Sequence, residues 1–325
     1  MTRIFESSRL AFAAVFLLFT LGYYLLLSSM PVDDMARYVA ELSANRFFWD
    51  LGHVWLQPAA LLIFRLLGGK PEIVGFLEAL NVISVALGAA VFFDTLRKLD
   101  VALWRAALAV VLLGASFNLL CLGPTAHIKL MVFPSLALAL RYAVFWERAL
   151  QDKPTRPQQR TAFAAGFWIG AGANLLISIL PMALFVGIFM LVKLSRTKIG
   201  VVRTMRALLP FSIGVMGAWL GFLLLAYWLA LDTATAHGSF SDFLFKGIAA
   251  KQELQTWESN WKEMPLRFTF SLIFNFMFMP NLGGLGRAVI SGYLKDWHPY
   301  ASRLLIEGAL GLLTGATLLA ILLAL

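Results

Sequence analysis

The sequence predicts an all-α polytopic membrane protein, and three features support this prediction. Hydrophobic residues make up 60% of the 325 residues and charged residues only 14%, well below the roughly 25% of soluble domains. Several apolar runs reach about 20 residues, the length that crosses a bilayer core of about 30 Å. The Lys and Arg residues between these runs are distributed unevenly, as the positive-inside rule describes. These features exclude an ordinary soluble protein.

Eight segments are predicted to span the membrane. They are residues 10–29, 73–96, 103–120, 128–146, 162–177, 180–194, 208–231 and 304–325. The first apolar run is longer than the core of a typical secretory signal, and Arg3 and Arg9 precede it. We therefore expect an uncleaved first helix with its N-terminus in the cytoplasm.

The membrane orientation of all later helices depends on whether residues 54–67 cross the bilayer. This apolar stretch is interrupted by Gln57 and Arg65, and as a helix it would reach only about 21 Å, too short for a comfortable crossing. If it lies in the interface, most of the basic residues beside the spans fall on one side of the membrane. If it crosses, Arg3 and Arg9 lie opposite most of the others. The charge distribution therefore predicts an amphipathic helix in the outer interface.

Residues 162–194 form one apolar run of about 33 residues, which as a single helix would measure roughly 50 Å. Basic residues flank the run at both ends, and both are expected on the inner side. A tight hairpin near residues 178–181 satisfies both constraints and predicts two spans. Gly166 and Gly170 would let the first of these helices pack closely against another.

The chain is predicted to have three parts. Residues 1–231 form a membrane module that contains the first outer loop, residues 30–72. Residues 232–302 form a second outer loop with interfacial helices, because Trp and Tyr residues suited to a membrane interface are frequent there. Residues 303–325 hold the final transmembrane helix. The net charge of +9 fits the basic inner loops of such a protein, and we expect no nucleic-acid partner.

The first outer loop holds the densest cluster of ionisable and aromatic side chains. A helix that begins after Asp33 has one polar face, with neighbours spaced i, i+3, i+4 and i+7. This face carries Asp34, Arg37, Tyr38 and Glu41. The neighbouring face suits the membrane surface, and it carries Met35, Val39 and Leu42. Ionisable residues at a membrane are costly, so a cluster of them predicts a functional site.

Asp33 and Asp34 are adjacent carboxylates. Capping of the helix N-terminus accounts for one of them but not for both. Two neighbouring carboxylates repel each other, so one has a raised pKa or the pair shares a cation. Carboxylate oxygens are ligands that Mg²⁺ and Mn²⁺ accept, and Asp33 and Asp34 are therefore the predicted metal ligands.

Two further pairs of candidates lie on the predicted outer side. Asp50 and His53 directly precede residues 54–67, and His53 is a general base, a phosphate ligand or a polar residue at the water interface. His127 and Lys129 lie at the outer end of the fourth predicted span, where they face the same cavity or reach towards water. The spacing of His and Cys residues matches no zinc site, and a single Cys excludes an internal disulfide.

The order of these parts resembles that of the GT-C superfamily, multi-spanning glycosyltransferases that use polyprenyl-phosphate sugars. The similarity covers roughly the first 230 residues and rests on a first span followed by Asp34-Met-Ala-Arg37-Tyr38 and then by Asp50-Leu-Gly-His53. Aminoarabinose and protein mannosyltransferases are the branches that it resembles most. Their first loop typically reads Asp-Glu-x-(Arg/Tyr)-Tyr. Met35 stands at the usually acidic second position, and Asp33 offers a second carboxylate from the other side.

The resemblance implies an inverting transfer of a sugar from a polyprenyl-phosphate donor to a glycan, lipid or protein acceptor on the extracytoplasmic side. It implies that Asp34 is the general base, while Asp33 or Asp50 orients the acceptor or binds a divalent cation. It implies that the remaining candidates bind the substrate and its phosphate. These are Arg37, Tyr38, His53, His127 and Lys129.

Two other functions are compatible with the sequence. A transporter or flippase for a lipid-linked or small anionic substrate would have paired half-chains with broken helices and charges near mid-membrane. A non-catalytic membrane subunit would bind a partner protein through the first outer loop and would tolerate loss of Asp34. The compact inner loops favour a bacterial inner membrane as the location.

Overall fold

The computed structural model describes residues 8–27, 35–45, 54–115, 123–126, 128–150, 156–176, 179–196, 201–230, 239–241 and 243. All regular structure within these residues is helical. The helices are α1 (Ser8–Leu25), α2 (Met35–Ser43), α3 (Leu56–Leu66), α4 (Ile73–Lys98), α5 (Leu103–Gly114), α6 (Phe133–Leu150), α7 (Arg156–Leu175), α8 (Leu180–Arg196) and α9 (Val201–Ala230). A 3₁₀ turn over Ile128–Val132 leads into α6. The all-α prediction is confirmed for this part of the chain.

Three helices among the described residues are long and apolar enough to cross a bilayer, namely Ile73–Lys98, Ile128–Glu147 and Ala207–Leu229. They coincide with the second, fourth and seventh predicted spans. Shorter apolar helices occupy the first, third and sixth predicted spans, and together these helices indicate an integral membrane protein. Residues 304–325 lie outside the described residues, so the total of eight spans stays a prediction.

The helices α1, α4 and α5 pack on one another through one apolar cluster. Ala89 of α4 and Ala106 of α5 are fully buried in this contact. Tyr23 of α1 donates a hydrogen bond from its hydroxyl to the carbonyl oxygen of Gly114, at 2.7 Å. This bond pairs two polar groups that would be costly to bury alone, and it fixes the end of α5 on α1.

Ion pairs connect the predicted inner parts of the helices. The Asp94 carboxylate of α4 contacts Arg141 of α6 at 2.6 Å and Lys98 at 2.9 Å. A second ion pair, between Glu147 and Lys193, links α6 to α8. A buried carboxylate such as that of Asp94 is costly without a partner, so these pairs fix which helices are neighbours.

The backbones of α7 and α9 touch. A β-carbon at Gly166 would overlap the carbonyl oxygen of Phe211, and a β-carbon at Gly170 would overlap that of Val215. Gly214 is equally close to α7 from the α9 side. The predicted role of Gly166 and Gly170 in close helix packing is confirmed.

The apolar run over residues 162–194 is divided, as predicted. α7 ends at Leu175 and α8 begins at Leu180. Both helices contribute to one core around Trp146 of α6, which is fully buried. The division therefore folds the run back into a compact bundle with α6 and α9.

Replacing Gly170 with Val should destabilise the contact between α7 and α9. The added side chain would force the helices apart, and overpacking of this kind typically costs about 1–3 kcal/mol. Thermal unfolding of the detergent-solubilised protein measures the effect. Gly221→Val is the matched control, because a β-carbon at this exposed position of α9 would meet nothing within 4 Å. Equal losses for the two variants would contradict the proposed tight contact.

Glu72 caps the N-terminus of α4. Its carboxylate accepts hydrogen bonds from the amides of Gly75 at 2.6 Å and Val74 at 2.9 Å. These bonds, the Gly75 bond most of all, hold the pKa of the Glu72 carboxyl below its usual value of 4.5. A carboxylate with a lowered folded-state pKa stabilises the fold above its unfolded pKa, and this contribution is lost as the pH falls through the folded value.

We therefore expect Glu72→Gln to unfold at a lower temperature than the wild type at neutral pH, because the charged cap is lost. The difference should shrink as the pH falls from 4.5 through the lower folded-state pKa of Glu72, where the folded wild-type carboxylate becomes protonated. Thermal unfolding in detergent across this pH range measures both effects. A difference that does not change with pH would show that the cap acts without its charge.

Candidate functional site

The helix α2 presents one ion pair and one buried face. The Arg37 Nε lies 2.7 Å from a carboxylate oxygen of Glu41, one turn along, as their predicted common face requires. Tyr38 is 1% exposed and Leu42 is equally buried. The prediction that Leu42 faces the membrane surface is wrong, because α3 and the start of α4 cover this side of α2. Val39 packs against the same residues.

The buried side of α2 belongs to an apolar cluster, which we name the first-loop cluster. Its members come from four elements that are separate in the sequence. They are Tyr38, Leu42, Leu56, Ala60, Leu61, Phe64, Phe76, Leu77, Ala126 and Ile128. The cluster therefore gathers α2, α3, the start of α4 and the segment around residue 127 at one place. Arg37 and Lys129 lie on two of these elements.

The helix α3 matches the predicted amphipathic segment at residues 54–67. It has 11 residues, which measure about 16 Å. Its inner face fills the first-loop cluster, while Leu62 is exposed and Leu66 is 85% exposed. At its end, Arg65 donates to the side-chain oxygen of Asn45 at 3.0 Å and to the Asn45 carbonyl oxygen at 2.7 Å. The helix itself is confirmed, and its position at a membrane interface stays a prediction.

Asn81 of α4 fixes the segment that precedes Lys129. Its side-chain amide is fully buried and donates to the carbonyl oxygens of Gly123 and Thr125, both at 3.2 Å. The next described residues, Ala126 and the 3₁₀ turn over Ile128–Val132, pack into the first-loop cluster. A buried amide that satisfies two carbonyls holds a loop more rigidly than apolar contact alone. Lys129 is half-buried in this turn.

Trp55 anchors the beginning of α3 to α7 and α9. Its backbone N–H donates to the carbonyl oxygen of Asn174 at 2.8 Å. Its indole N–H donates to the carbonyl oxygen of Phe222, also at 2.8 Å. The rings of Trp55 and Phe222 meet edge to face, with centroids 6.2 Å apart. Trp55 thus contacts the end of α7 and the last third of α9 at once.

Asn174 completes this set of contacts between Trp55, α7 and α9, which we name the Trp55 junction. Its side-chain amide donates to the carbonyl oxygen of Gly170 at 2.9 Å and to that of Trp219 at 3.2 Å. Sequence reasoning did not identify either Trp55 or Asn174 as a functional residue. No local pattern could have paired them with α9, because Trp55 and Phe222 are 167 positions apart in the sequence.

Five predicted site residues lie outside the described residues. They are Asp33, Asp34, Asp50, His53 and His127. Each of them adjoins, or lies within a few residues of, a described element that meets the first-loop cluster or the Trp55 junction. Asp34 directly precedes α2, and His127 separates Ala126 from the 3₁₀ turn. The described residues contain no group of three or more His, Cys, Asp or Glu that could hold a metal ion, and the metal site at Asp33 and Asp34 stays a prediction.

One solved structure has a fold similar to this arrangement. No family model and no curated protein matches the chain. The fold is similar to that of the S. cerevisiae protein O-mannosyltransferase Pmt1-Pmt2 complex bound to the sugar donor, with a TM-score of 0.56 and 13% sequence identity. The chain therefore shares the fold of part of that complex. The match covers 69% of this chain and 34% of that one, so this chain spans about a third of the length of the structure it matches.

The first-loop cluster gives the first loop a stable base. This cluster packs together the elements that carry Arg37 and Lys129, so contacts between elements help to hold both in position. Tyr38 is the aromatic residue of α2 in this cluster. Its ring packs in the core, and a contact from its hydroxyl to substrate stays a prediction.

Tyr38→Ala should therefore destabilise the protein by about 3–5 kcal/mol, the usual cost of removing a buried aromatic ring. Tyr24→Ala is the matched control, because Tyr24 on α1 is 64% exposed and its removal leaves no cavity. Thermal or denaturant unfolding in detergent measures the difference. Equal stability of the two variants would contradict a packing role for Tyr38.

Proposed function

We propose that this protein is an inverting glycosyltransferase that moves a sugar from a polyprenyl-phosphate donor to an acceptor hydroxyl on the extracytoplasmic side of the membrane. The observation that supports this most is the similarity of its fold to a mannosyltransferase complex bound to the sugar donor. The acceptor in this proposal is a glycan, a lipid or a protein. The membrane is a bacterial inner membrane, with the N-terminus in the cytoplasm.

Asp34 is the general base in this proposal. Its carboxylate takes the proton of the acceptor hydroxyl as that oxygen attacks the anomeric carbon from the side opposite the phosphate. The bond between the anomeric carbon and the phosphate oxygen breaks, and the polyprenyl phosphate leaves with the electron pair. Asp34 directly precedes α2 in the sequence, and α2 is held by Tyr38 and Leu42 in the first-loop cluster. This cluster is what would give the base a fixed position.

Arg37, Lys129 and His53 neutralise the leaving phosphate. Negative charge grows on the phosphate as the bond breaks, so cations placed beside it lower the barrier. The Arg37 side chain is 43% exposed and pairs with the nearly buried Glu41, an arrangement that would restrict the orientation of its guanidinium. A planar guanidinium can bind two phosphate oxygens at once. His127 lies in the sequence between two members of the first-loop cluster and would contact the substrate from that side.

Asp33 and Asp50 have supporting roles. Either of them would orient the acceptor hydroxyl, or Asp33 together with Asp34 would hold a divalent cation such as Mg²⁺ or Mn²⁺. Such a cation would supply positive charge beside the phosphate. The exposed apolar residues of α3, Leu62 and Leu66, provide a surface for the prenyl tail of the donor.

Asp34→Asn should strongly reduce sugar transfer while leaving the protein folded. Loss of a general base typically costs 10²–10⁴-fold in rate, as an order of magnitude, and donor binding should remain because the phosphate contacts are unchanged. The measurement is transfer by purified protein in detergent, tested with several polyprenyl-phosphate sugars. Asp100→Asn is the matched control, since it makes the same chemical change in the turn between α4 and α5, where Asp100 has a φ of 62° that Asn tolerates.

Two results would change the proposal. Full turnover in Asp34→Asn would keep the enzyme and move the base to Asp33 or Asp50. A wild type that neither binds nor turns over any donor tested would contradict the proposal and favour transport or a role as a partner-binding subunit.

A further inference from the structure

Residues 123–126 form a short segment that is not helical and yet is buried throughout. Irregular backbone is costly away from water, because its carbonyl groups lack the partners that a helix provides. In a membrane protein it is tolerated where protein encloses it or where it lines a polar cavity. Here the carbonyl oxygens of Gly123 and Thr125 each accept a hydrogen bond from the side-chain amide of Asn81, at 3.2 Å. Asn81 therefore offsets the cost of burying this segment.

The position of Asn81 makes it a firm attachment point. Asn81 is fully buried and lies one turn of α4 beyond Leu77, which belongs to the first-loop cluster. A side-chain amide nitrogen carries two N–H donors, so one residue can serve two carbonyl oxygens. An apolar residue of similar size would leave both oxygens without this donor, and an unsatisfied buried acceptor is costly. Two points of the irregular segment are thereby attached to one point of a long helix.

The same segment leads directly to Lys129. Ile128, at the start of the 3₁₀ turn, is fully buried in the first-loop cluster. Val132, at the end of the turn, packs in the core that α6, α7 and α8 share. Lys129 follows Thr125 by four residues, which span at most about 14 Å of chain. The backbone of Lys129 is therefore held from both sides, and on the side of Thr125 it is held through Asn81.

We propose that Asn81 is a positioning residue that holds Lys129 where its ammonium group meets the donor phosphate. This inference rests on the proposed transfer reaction, in which Lys129 neutralises the charge of the leaving phosphate. Stabilisation of this kind requires that the cation is in place before the bond breaks. A displacement of about 1 Å at a reacting group can cost on the order of a hundredfold in rate. A buried bond remote from the phosphate therefore has a measurable effect on turnover.

The first test measures the attachment without using activity. In hydrogen–deuterium exchange of the full chain in detergent, Asn81→Leu should make the amides of Ile128–Val132 exchange about tenfold faster. Thr95→Val is the matched control, because it removes another buried polar group of α4 whose hydrogen bond, to the carbonyl oxygen of Val91, stays within the helix. This control should leave exchange in the 3₁₀ turn unchanged. Unchanged exchange there in Asn81→Leu would overturn the proposal.

The second test asks whether Asn81 acts through Lys129. Turnover at saturating donor is expressed per donor-binding site, with the sites counted by titration of a polyprenyl-phosphate sugar that the wild type uses, so unfolded protein does not contribute. Asn81→Leu should lose about tenfold in this turnover, and Lys129→Ala about a hundredfold. The double variant should lose no more than Lys129→Ala alone, because an absent side chain cannot be misplaced. Losses that multiply would show that Asn81 acts independently of Lys129 and would overturn the proposal.

A second substitution covers the case in which Asn81→Leu does not fold. Asn81→Ser offers a single hydroxyl donor and so can serve at most one of the two carbonyl oxygens. It should give the same direction of change in exchange and in turnover, and the same cycle with Lys129→Ala applies to it.

The outcomes distinguish this inference from the proposed function. Wild-type turnover per site in Asn81→Leu, with faster exchange in the 3₁₀ turn, would overturn the positioning role and leave the glycosyltransferase intact. A wild type without transfer would overturn the proposed function and the catalytic part of this inference together. The exchange experiment would then still show whether Asn81 holds the turn that carries Lys129.

Discussion

The close approach of α7 to α9 is the constraint on which the candidate site depends. Gly166, Gly170 and Gly214 allow the two backbones to touch. Asn174, one turn beyond Gly170, is then near enough to α9 to reach the carbonyl oxygen of Trp219. Larger residues at these glycines would separate the helices and break that bond. Trp55, at the start of α3, is bonded to the same pair of helices. Glycines far along the chain therefore help to determine where α3 begins.

A few polar side chains specify how an otherwise apolar bundle is assembled. Apolar packing is non-directional, and many arrangements of lipid-soluble helices bury similar areas. A side-chain donor aimed at one backbone carbonyl is directional, and away from water it is costly to leave unpaired. Tyr23 on Gly114 and Asn81 on Gly123 are contacts of this kind. They select one neighbour and one register from the arrangements that packing alone would allow.

The sequence allowed prediction of the parts of the fold that depend on local composition. Run length and hydropathy predicted most helices, and glycine spacing predicted the contact between α7 and α9. The predicted span began at residue 162, but the helix α7 begins at Arg156. The polar residues before residue 162 are too hydrophilic for a membrane span, yet they still form helix. The burial of Leu42 and the bonds of Trp55 depend on residues far along the chain and had no local signal. Of the candidate site, the described residues include only Arg37, Tyr38 and Lys129, so its carboxylates stay predictions.

The shortness of α3 has a consequence for the topology of the whole chain. A helix of 11 residues, about 16 Å long, cannot cross a hydrocarbon layer of about 30 Å. With α3 in the interface, as the sequence predicts, the chain returns to the side from which it entered, and the direction of every later helix depends on that step. Two or three additional apolar turns in this one helix would change the parity of the crossings. The helices from α4 to α9 could then keep all their mutual contacts and still stand inverted in the membrane.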